Sequence, residues 1–148
     1  LHLSDANFGG SSVASVAVAC HEAGHAVQRQ RGFAMYRLRT ALVPVVSAAE
    51  SLWTIVLLAG VFLNAFGLVK VAIALYAATV LFSLVTLPVE IDASRRAVAF
   101  LRERGAGLDQ RGARQVLVAA ALTYVASALV SVIQLVYLLQ RYANREER

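Results

Sequence analysis

The chain has 148 residues, enough for one domain, and hydrophobic residues make up 59% of it against 16% charged residues. A water-soluble domain of this size needs more polar surface, so the composition argues against a soluble globular protein. The formal net charge of +5 comes almost entirely from arginines that flank apolar segments. This pattern favours a lipid bilayer as a partner and argues against nucleic acid. The lone Cys20 excludes an internal disulfide and a cysteine-rich zinc module.

The first long helix is predicted over residues 13–31. The residues before it are polar and turn-like, and Ser11 or Ser12 is suited to cap the helix. Gly32 is expected to end it. Its last turn is polar and basic, which indicates a helix at the membrane interface or in the cytosol.

Apolar segments of membrane-spanning length follow, at residues 43–66, 68–87 and 116–139. Each has the roughly 20 residues that cross a hydrocarbon core about 30 Å thick, so each is predicted to span the membrane. Pro44 is expected in the opening turn of the first span, and Pro88 is expected to close the second. A separate charged helix is predicted over residues 89–104, with Gly105-Ala106-Gly107 as its break. A soluble bundle of very apolar helices is the alternative, but a soluble core does not need so many such segments.

The distribution of basic residues predicts the orientation of these spans. Several arginines precede the first span and follow the second, whereas the only basic residue near the turn between those two spans is Lys70. The positive-inside rule therefore places residues 1–40 and 89–115 on the cytoplasmic side. Because two crossings separate these segments, they share one side of the membrane in either orientation.

The pentapeptide His21-Glu22-Ala23-Gly24-His25 lies near the centre of the first helix. Residues four apart share one helix face, so His21 and His25 can bind one metal ion with Glu22 beside them. Two imidazoles and one carboxylate suit Zn2+ and leave a fourth position open for water. The metal activates that water for attack on a peptide carbonyl, with Glu22 as the general base. The motif therefore predicts a zinc-dependent endopeptidase that acts on a peptide or protein substrate.

A catalytic zinc needs a third protein ligand, and Glu90 is the preferred candidate. It begins the predicted charged helix, on the same side of the membrane as the pentapeptide. Asp92 and Glu50 are the second and third choices, and His2 is the remaining histidine. Ser94, one turn after Glu90, is placed to hydrogen-bond a ligand.

Other assignments stay open in the sequence. Arg95, Arg96 and Tyr124 are candidates for stabilising the oxyanion, without a choice among them. A non-catalytic membrane scaffold with a structural or vestigial metal site is the main alternative function. Its zinc would need a fourth protein ligand, and the sequence offers no convincing one. A small transporter would use intramembrane polar groups, here the scattered residues Glu50, Asn64 and Gln134.

Four blocks of sequence carry a resemblance to a known family: VASVAVA at 13–19, LRTALVPVVS at 38–47, TLPVEIDAS at 86–94 and AALTYVA at 120–126. They are similar to the YugP-type neutral zinc metallopeptidases of bacterial membranes, and the similarity covers nearly the whole chain. Site-2-type intramembrane proteases are a neighbouring possibility, but their Asn-Pro-Asp-Gly-like ligand block does not occur here.

The resemblance implies a membrane gluzincin-like site with one Zn2+ per chain. His21 and His25 match the histidine ligands of the family, Glu22 its catalytic acid and Glu90 its third ligand. It also implies a further membrane helix before Leu1. With the orientation above, we expect a multi-pass protein of the bacterial inner membrane, all-α, whose active-site helix faces the cytoplasm.

Overall fold

The computed structural model describes residues 3–104 and 108–143. Its helices are α1 (Asp5–Phe8), α2 (Val13–Gln30), α3 (Ala34–Phe62), α4 (Phe66–Arg104) and α5 (Gln110–Ala143). These described residues contain no strand, so the predicted all-α class is confirmed. His2 and the predicted break at Gly105-Ala106-Gly107 lie outside the described residues.

The helix that carries the pentapeptide begins and ends close to its predicted limits. Ser12 is the N-cap of α2, and its hydroxyl accepts a hydrogen bond from the backbone N–H of Ser15 at 3.1 Å. At the other end, the backbone N–H of Phe33 donates to the carbonyl of Gln28 at 3.0 Å. This closure requires a left-handed residue between them, and Gly32 has φ +64°. The capping residues therefore set both ends of α2.

The long helices α3, α4 and α5 are each long and apolar enough to cross a membrane. Between 11% and 33% of their most apolar windows is buried inside the protein. Large apolar side chains are left exposed, for example Ile55 at 65% and Ile133 at 59%. Surfaces of this kind are unstable in water but match the hydrocarbon of a bilayer. Among the described residues, the structure therefore has three helices that could span a membrane, as predicted, while the limits of the spans stay a prediction.

Both prolines lie inside helices, which corrects two predictions. Pro44 is not in an opening turn, because α3 already begins at Ala34. Pro88 does not close a span, because α4 continues through it, so the predicted span 68–87 and charged helix 89–104 are one helix. A proline removes one backbone N–H and can kink a helix, but the neighbouring turns keep their own hydrogen bonds. Within a long apolar helix that loss is tolerated.

The chain forms two compact units, and each has its own core. The first unit combines Leu1–Leu38 with Thr86–Val125. Its core joins α2, α4 and α5 through the buried side chains Ala17, Ala97, Leu101, Ala113 and Leu117. Three of these five residues are alanines, so the helix backbones approach closely. This unit contains the pentapeptide and Glu90.

The second unit combines Arg39–Val85 with Ala126–Arg148. Its core contains Tyr76, Val80 and Leu138. The rings of Trp53 and Tyr76 lie 4.5 Å apart between centroids, at an interplanar angle of 44°. The Tyr76 hydroxyl donates to the backbone carbonyl of Ser131 at 3.4 Å. Aromatic packing therefore organises this unit, whereas small residues organise the first.

Candidate metal centre

Helix α2 contacts α4 closely at Gly24, inside the pentapeptide. A Cβ atom at Gly24 would lie 2.6 Å from the carbonyl oxygen of Ala93 and 3.1 Å from its Cα. Real Cβ contacts are longer, so only glycine fits this contact without a shift of the helices. Gly24 and Ala93 are both buried. The contact brings the turns that flank Gly24 directly beside the turn of α4 that carries Glu90.

At this contact, His21, His25 and Glu90 come together. The Nε2 atoms of His21 and His25 lie 3.1 Å and 3.5 Å from the same Glu90 oxygen, Oε2. One ligand atom from each of the three residues lies within 4.8 Å of the other two. The two rings are nearly perpendicular, at 87°. Glu90 is only 1% exposed, so its carboxylate is directed into the protein towards the imidazoles.

The remaining ring nitrogens bind polar side chains that orient the imidazoles. His21 Nδ1 lies 3.1 Å from Ser94 Oγ, and His25 Nδ1 lies 2.9 Å from Gln28 Oε1. Metal-binding histidines generally use their second nitrogen in this way, which fixes the ring and its tautomer. The structure thus places the Ser94 hydroxyl beside His21, a candidate ligand.

The tautomer of His25 follows from the contacts of Gln28. The Gln28 amide nitrogen donates to the Val89 carbonyl and to Asp92 Oδ2, both at 2.8 Å. Because both partners are acceptors, the amide cannot be flipped, and its oxygen must face His25. His25 Nδ1 therefore carries a hydrogen, and in the neutral imidazole Nε2 presents its lone pair to Glu90.

This arrangement fits a metal ion. In the neutral form of His25, the Nε2 lone pair faces a carboxylate oxygen in a buried site, and a metal ion between these two acceptors removes their repulsion. Two imidazole nitrogens and one carboxylate oxygen form the donor set of a catalytic zinc site. His21, His25 and Glu90 are therefore the residues suited to hold it.

The other predicted candidates lie outside this group. Asp92 accepts hydrogen bonds from Gln28 and, at 2.6 Å, from Arg96 Nε, so it anchors Gln28 instead of facing the histidines. Glu50 belongs to the second unit. Glu22 is half-buried on α2, directly after His21. Of the three oxyanion candidates, Arg96 is paired with Asp92, whereas Arg95 and Tyr124 are exposed.

Sequence reasoning missed Gln28 and Tyr36. Gln28 is fully buried, although glutamine is mostly exposed in proteins. The available signal was its position three residues after His25, which places it on the same helix face. The Tyr36 ring lies 6.2 Å from the His25 ring.

Cys20 directly precedes His21 in the sequence. Burial raises the pKa of its thiol, which keeps the thiol protonated and unlike a metal ligand.

Comparison with known proteins gives the family. Residues 1–143 match the family described as "Putative neutral zinc metallopeptidase". The chain belongs to this family. It is also 38% identical over 146 residues to the "Putative membrane protease YugP" of Bacillus subtilis (strain 168). That alignment covers 97% of the chain and 65% of the relative, so the chain spans just under two thirds of the relative's length. No solved structure matches the chain.

The family and the structure agree on two general points. The predicted resemblance is confirmed, and the family description implies zinc. His21, His25 and Glu90 are a possible metal-binding group in the part of the chain that the structure describes. The three apolar helices and the membrane protease relative together indicate a membrane protein.

Proposed function

We propose that the chain is a zinc-dependent membrane endopeptidase that holds one Zn2+ with His21, His25 and Glu90. The observation that carries this proposal is the convergence of both Nε2 atoms on one oxygen of a buried glutamate. The second ring nitrogen of each histidine already has an orienting partner, Ser94 or Gln28. A histidine pair that only stabilised a helix contact would not need this arrangement.

Zinc at such a site supplies Lewis-acid chemistry, since it polarises a carbonyl group and makes water more acidic near neutral pH. Glu22 then acts as the general base and passes the proton to the leaving amine. Its position directly after His21 keeps its carboxylate within one turn of both histidines. Glu90 balances positive charge in the site, while Ser94 and Gln28 keep the imidazoles in place.

The active site is proposed to face the cytoplasm of a bacterial inner membrane. Support comes from the arginines before α3 and in the last turns of α4, against the single Lys70 near the start of α4. In a Cys20→Ala background, a cysteine introduced at Arg37 should react with a membrane-impermeant reagent only from the cytoplasmic side. One introduced at Gly67 should react only from the other side. The reverse labelling pattern would overturn this orientation.

Zinc content and peptide cleavage, measured together on protein in nanodiscs, test the enzyme proposal. Glu22→Gln should keep zinc and lose cleavage, because it removes the base but no ligand. Glu90→Ala should lose both. Glu103→Gln removes another acid of α4 that is outside the metal-binding group, so it should change neither.

The same measurements distinguish an enzyme from a non-catalytic membrane scaffold with a structural metal site. If the unaltered protein holds zinc but cleaves no peptide, the site is structural and the enzyme proposal fails. If Glu22→Gln cleaves as well as the unaltered protein, Glu22 is not the base. If Glu90→Ala keeps its zinc, the ligand assignment is wrong.

A further inference from the structure

A groove between α4 and α5 borders the candidate metal centre in the first unit. One part of it, about 340 Å³, is lined mainly by apolar side chains that include Ile91, Leu117 and Val118. The other part, about 620 Å³, is lined by Arg102 and Arg111 among others. Val98 and Arg114 line both parts, so the two are adjacent. The groove is therefore apolar at one end and rich in arginine at the other.

The apolar part shares a wall with the metal-binding group. Ser94 lines the groove, and its hydroxyl is the group that lies 3.1 Å from His21 Nδ1. Ile91, Ser94 and Val98 follow at spacings of three and four, so one face of α4 runs from the centre along the groove. An extended peptide held at the metal centre would have this groove next to it.

The arginine-rich part carries unbalanced positive charge. Arg102, Arg111 and Arg114 are exposed, and none forms an ion pair with another residue in 3–104 or 108–143. Arg96 differs, because its guanidinium is paired with Asp92. Among the residues that the structure describes, no acidic side chain lines either part of the groove. Arginines arranged in this way attract carboxylate or phosphate groups.

An acidic peptide is the occupant that this groove favours, because Ser94 belongs both to the groove lining and to the contacts of His21. A peptide held at the metal centre would therefore pass along the apolar part and reach the arginines beyond it. Arg111 and Arg114 lie only a few residues before the predicted span 116–139, so the headgroup of an anionic lipid is the competing occupant that the experiment distinguishes.

We propose that this groove binds the substrate and selects its sequence. The apolar part receives an apolar side chain next to the scissile bond, and Arg102, Arg111 and Arg114 receive acidic side chains farther along the peptide. This inference rests on the proposed endopeptidase function. It defines the substrate class as segments in which an apolar residue is followed at a short distance by aspartates or glutamates.

Matched peptides test the charge preference on protein in nanodiscs. Two fluorogenic peptides share a bulky apolar residue at the cleavage point and differ only in carrying three glutamates or three glutamines beside it. The unaltered protein should cleave the glutamate peptide with a kcat/KM at least about tenfold higher, and added salt should reduce that preference. The double variant Arg102→Glu with Arg111→Glu should lose the preference and favour a lysine peptide. Arg104→Glu, the same charge change outside the groove lining, should keep it.

A matched pair of variants tests the apolar part of the groove. Ala121 lines the groove, whereas its exposed neighbour Ala120 does not. Ala121→Phe should fill the apolar part and lower the cleavage of peptides with leucine or phenylalanine at the cleavage point about tenfold or more. The cleavage of peptides with alanine at the cleavage point should fall far less. Ala120→Phe should leave both classes unchanged, and zinc content and thermal unfolding of both variants should match the unaltered protein.

The outcomes separate the two proposals. If the unaltered protein holds zinc and cleaves all peptides equally, the groove proposal is overturned and the endopeptidase proposal stands. If it cleaves none, the endopeptidase proposal has failed. Binding of the labelled glutamate peptide to Glu22→Gln, measured by fluorescence anisotropy, then still tests the groove. If Arg102→Glu with Arg111→Glu changes only the response to anionic lipid in the nanodisc, the groove binds lipid and the peptide assignment is wrong.

Discussion

The side-chain oxygen of Gln28 lies 2.9 Å from Nδ1 of His25, three residues earlier on α2. The amide of the same Gln28 donates to two acceptors on α4, the Val89 carbonyl and Asp92. One buried side chain thus fixes the tautomer of a candidate ligand and also joins the helix of the histidines to the helix of Glu90. The metal site and the packing of the two helices therefore depend on the same residue.

Replacing Gln28 with methionine should weaken zinc binding. Methionine has a similar length but neither accepts from His25 Nδ1 nor donates to α4, so the imidazole loses its orientation. Loss of such a supporting hydrogen bond typically lowers metal affinity by about 10 to 100-fold. Gln28→Met should show this loss in a zinc competition titration with a chromophoric chelator. Gln30→Met, an exposed change on the same helix, is the control. Equal zinc affinity in the two variants would show that Gln28 has only a structural role.

The approach of α2 to α4 should be intolerant of a side chain at Gly24. Alanine favours a helix by about 1 kcal/mol over glycine, but its Cβ would meet the Ala93 carbonyl at 2.6 Å. The steric cost of such overpacking is about 1 to 3 kcal/mol, so Gly24→Ala should lower or barely change stability, and Gly24→Val should lower it clearly. Both should also separate the histidines from Glu90 and reduce zinc affinity.

Gly67 offers the matched control for this prediction. It lies in the first turn of α4, and a Cβ there would meet nothing within 4 Å. Gly67→Ala should therefore keep or raise the midpoint of thermal unfolding. If Gly24→Val unfolds at the same temperature as the unaltered protein and binds zinc equally well, the close contact at Gly24 is not needed for the site.

The sequence predicted which residues form this site better than it predicted how the helices that carry them are arranged. Residue type and spacing were enough to identify His21, Glu22 and His25, because one helical turn places two imidazoles on one face. Glu90 required an argument about membrane topology, and the structure brings it to the histidines. The continuity of α4 through Pro88 was missed. The tendency of proline to end a helix is a local preference, and it takes no account of the burial of Val89, Glu90 and Ala93 in the following turn.

The role of Gln28 was also beyond the sequence. Local chemistry predicts an exposed glutamine near the end of a basic helix, and only the position of α4 supplies the acceptors that its amide requires. Asp92 is a similar case. It was the second choice for the third ligand, after Glu90, but Arg96 and Gln28 occupy its Oδ2 atom. Long-range partners, separated here by more than 60 residues, decide such assignments.

The stability of the second unit should depend mainly on the packing of the Tyr76 ring, and less on its hydroxyl. Its ring contacts Trp53, and its hydroxyl makes a single long hydrogen bond to the Ser131 carbonyl. Tyr76→Phe should therefore cost less than about 1 kcal/mol, whereas Tyr76→Ala leaves a cavity and should cost about 3 kcal/mol or more. Tyr137→Ala is the control, because Tyr137 is 57% exposed. Thermal unfolding followed by tryptophan fluorescence measures the effect, and equal losses for Tyr76→Phe and Tyr76→Ala would assign it to the hydrogen bond instead.

Thr86 carries a buried hydroxyl with no hydrogen-bond partner among the described residues. It lies one turn before Glu90 on the same face of α4. Valine has nearly the same shape without the hydroxyl, so Thr86→Val removes an unsatisfied group and should keep or raise stability by about 1 kcal/mol. Thr79 is the matched residue, because its buried hydroxyl donates to the Tyr76 carbonyl at 2.8 Å.

Thr79→Val should therefore lower the midpoint of thermal unfolding, while Thr86→Val should not. The comparison cancels the shared effect of replacing threonine by valine in one helix, since both positions are buried in α4. A loss of stability in Thr86→Val equal to that in Thr79→Val would contradict the assignment of an unsatisfied hydroxyl.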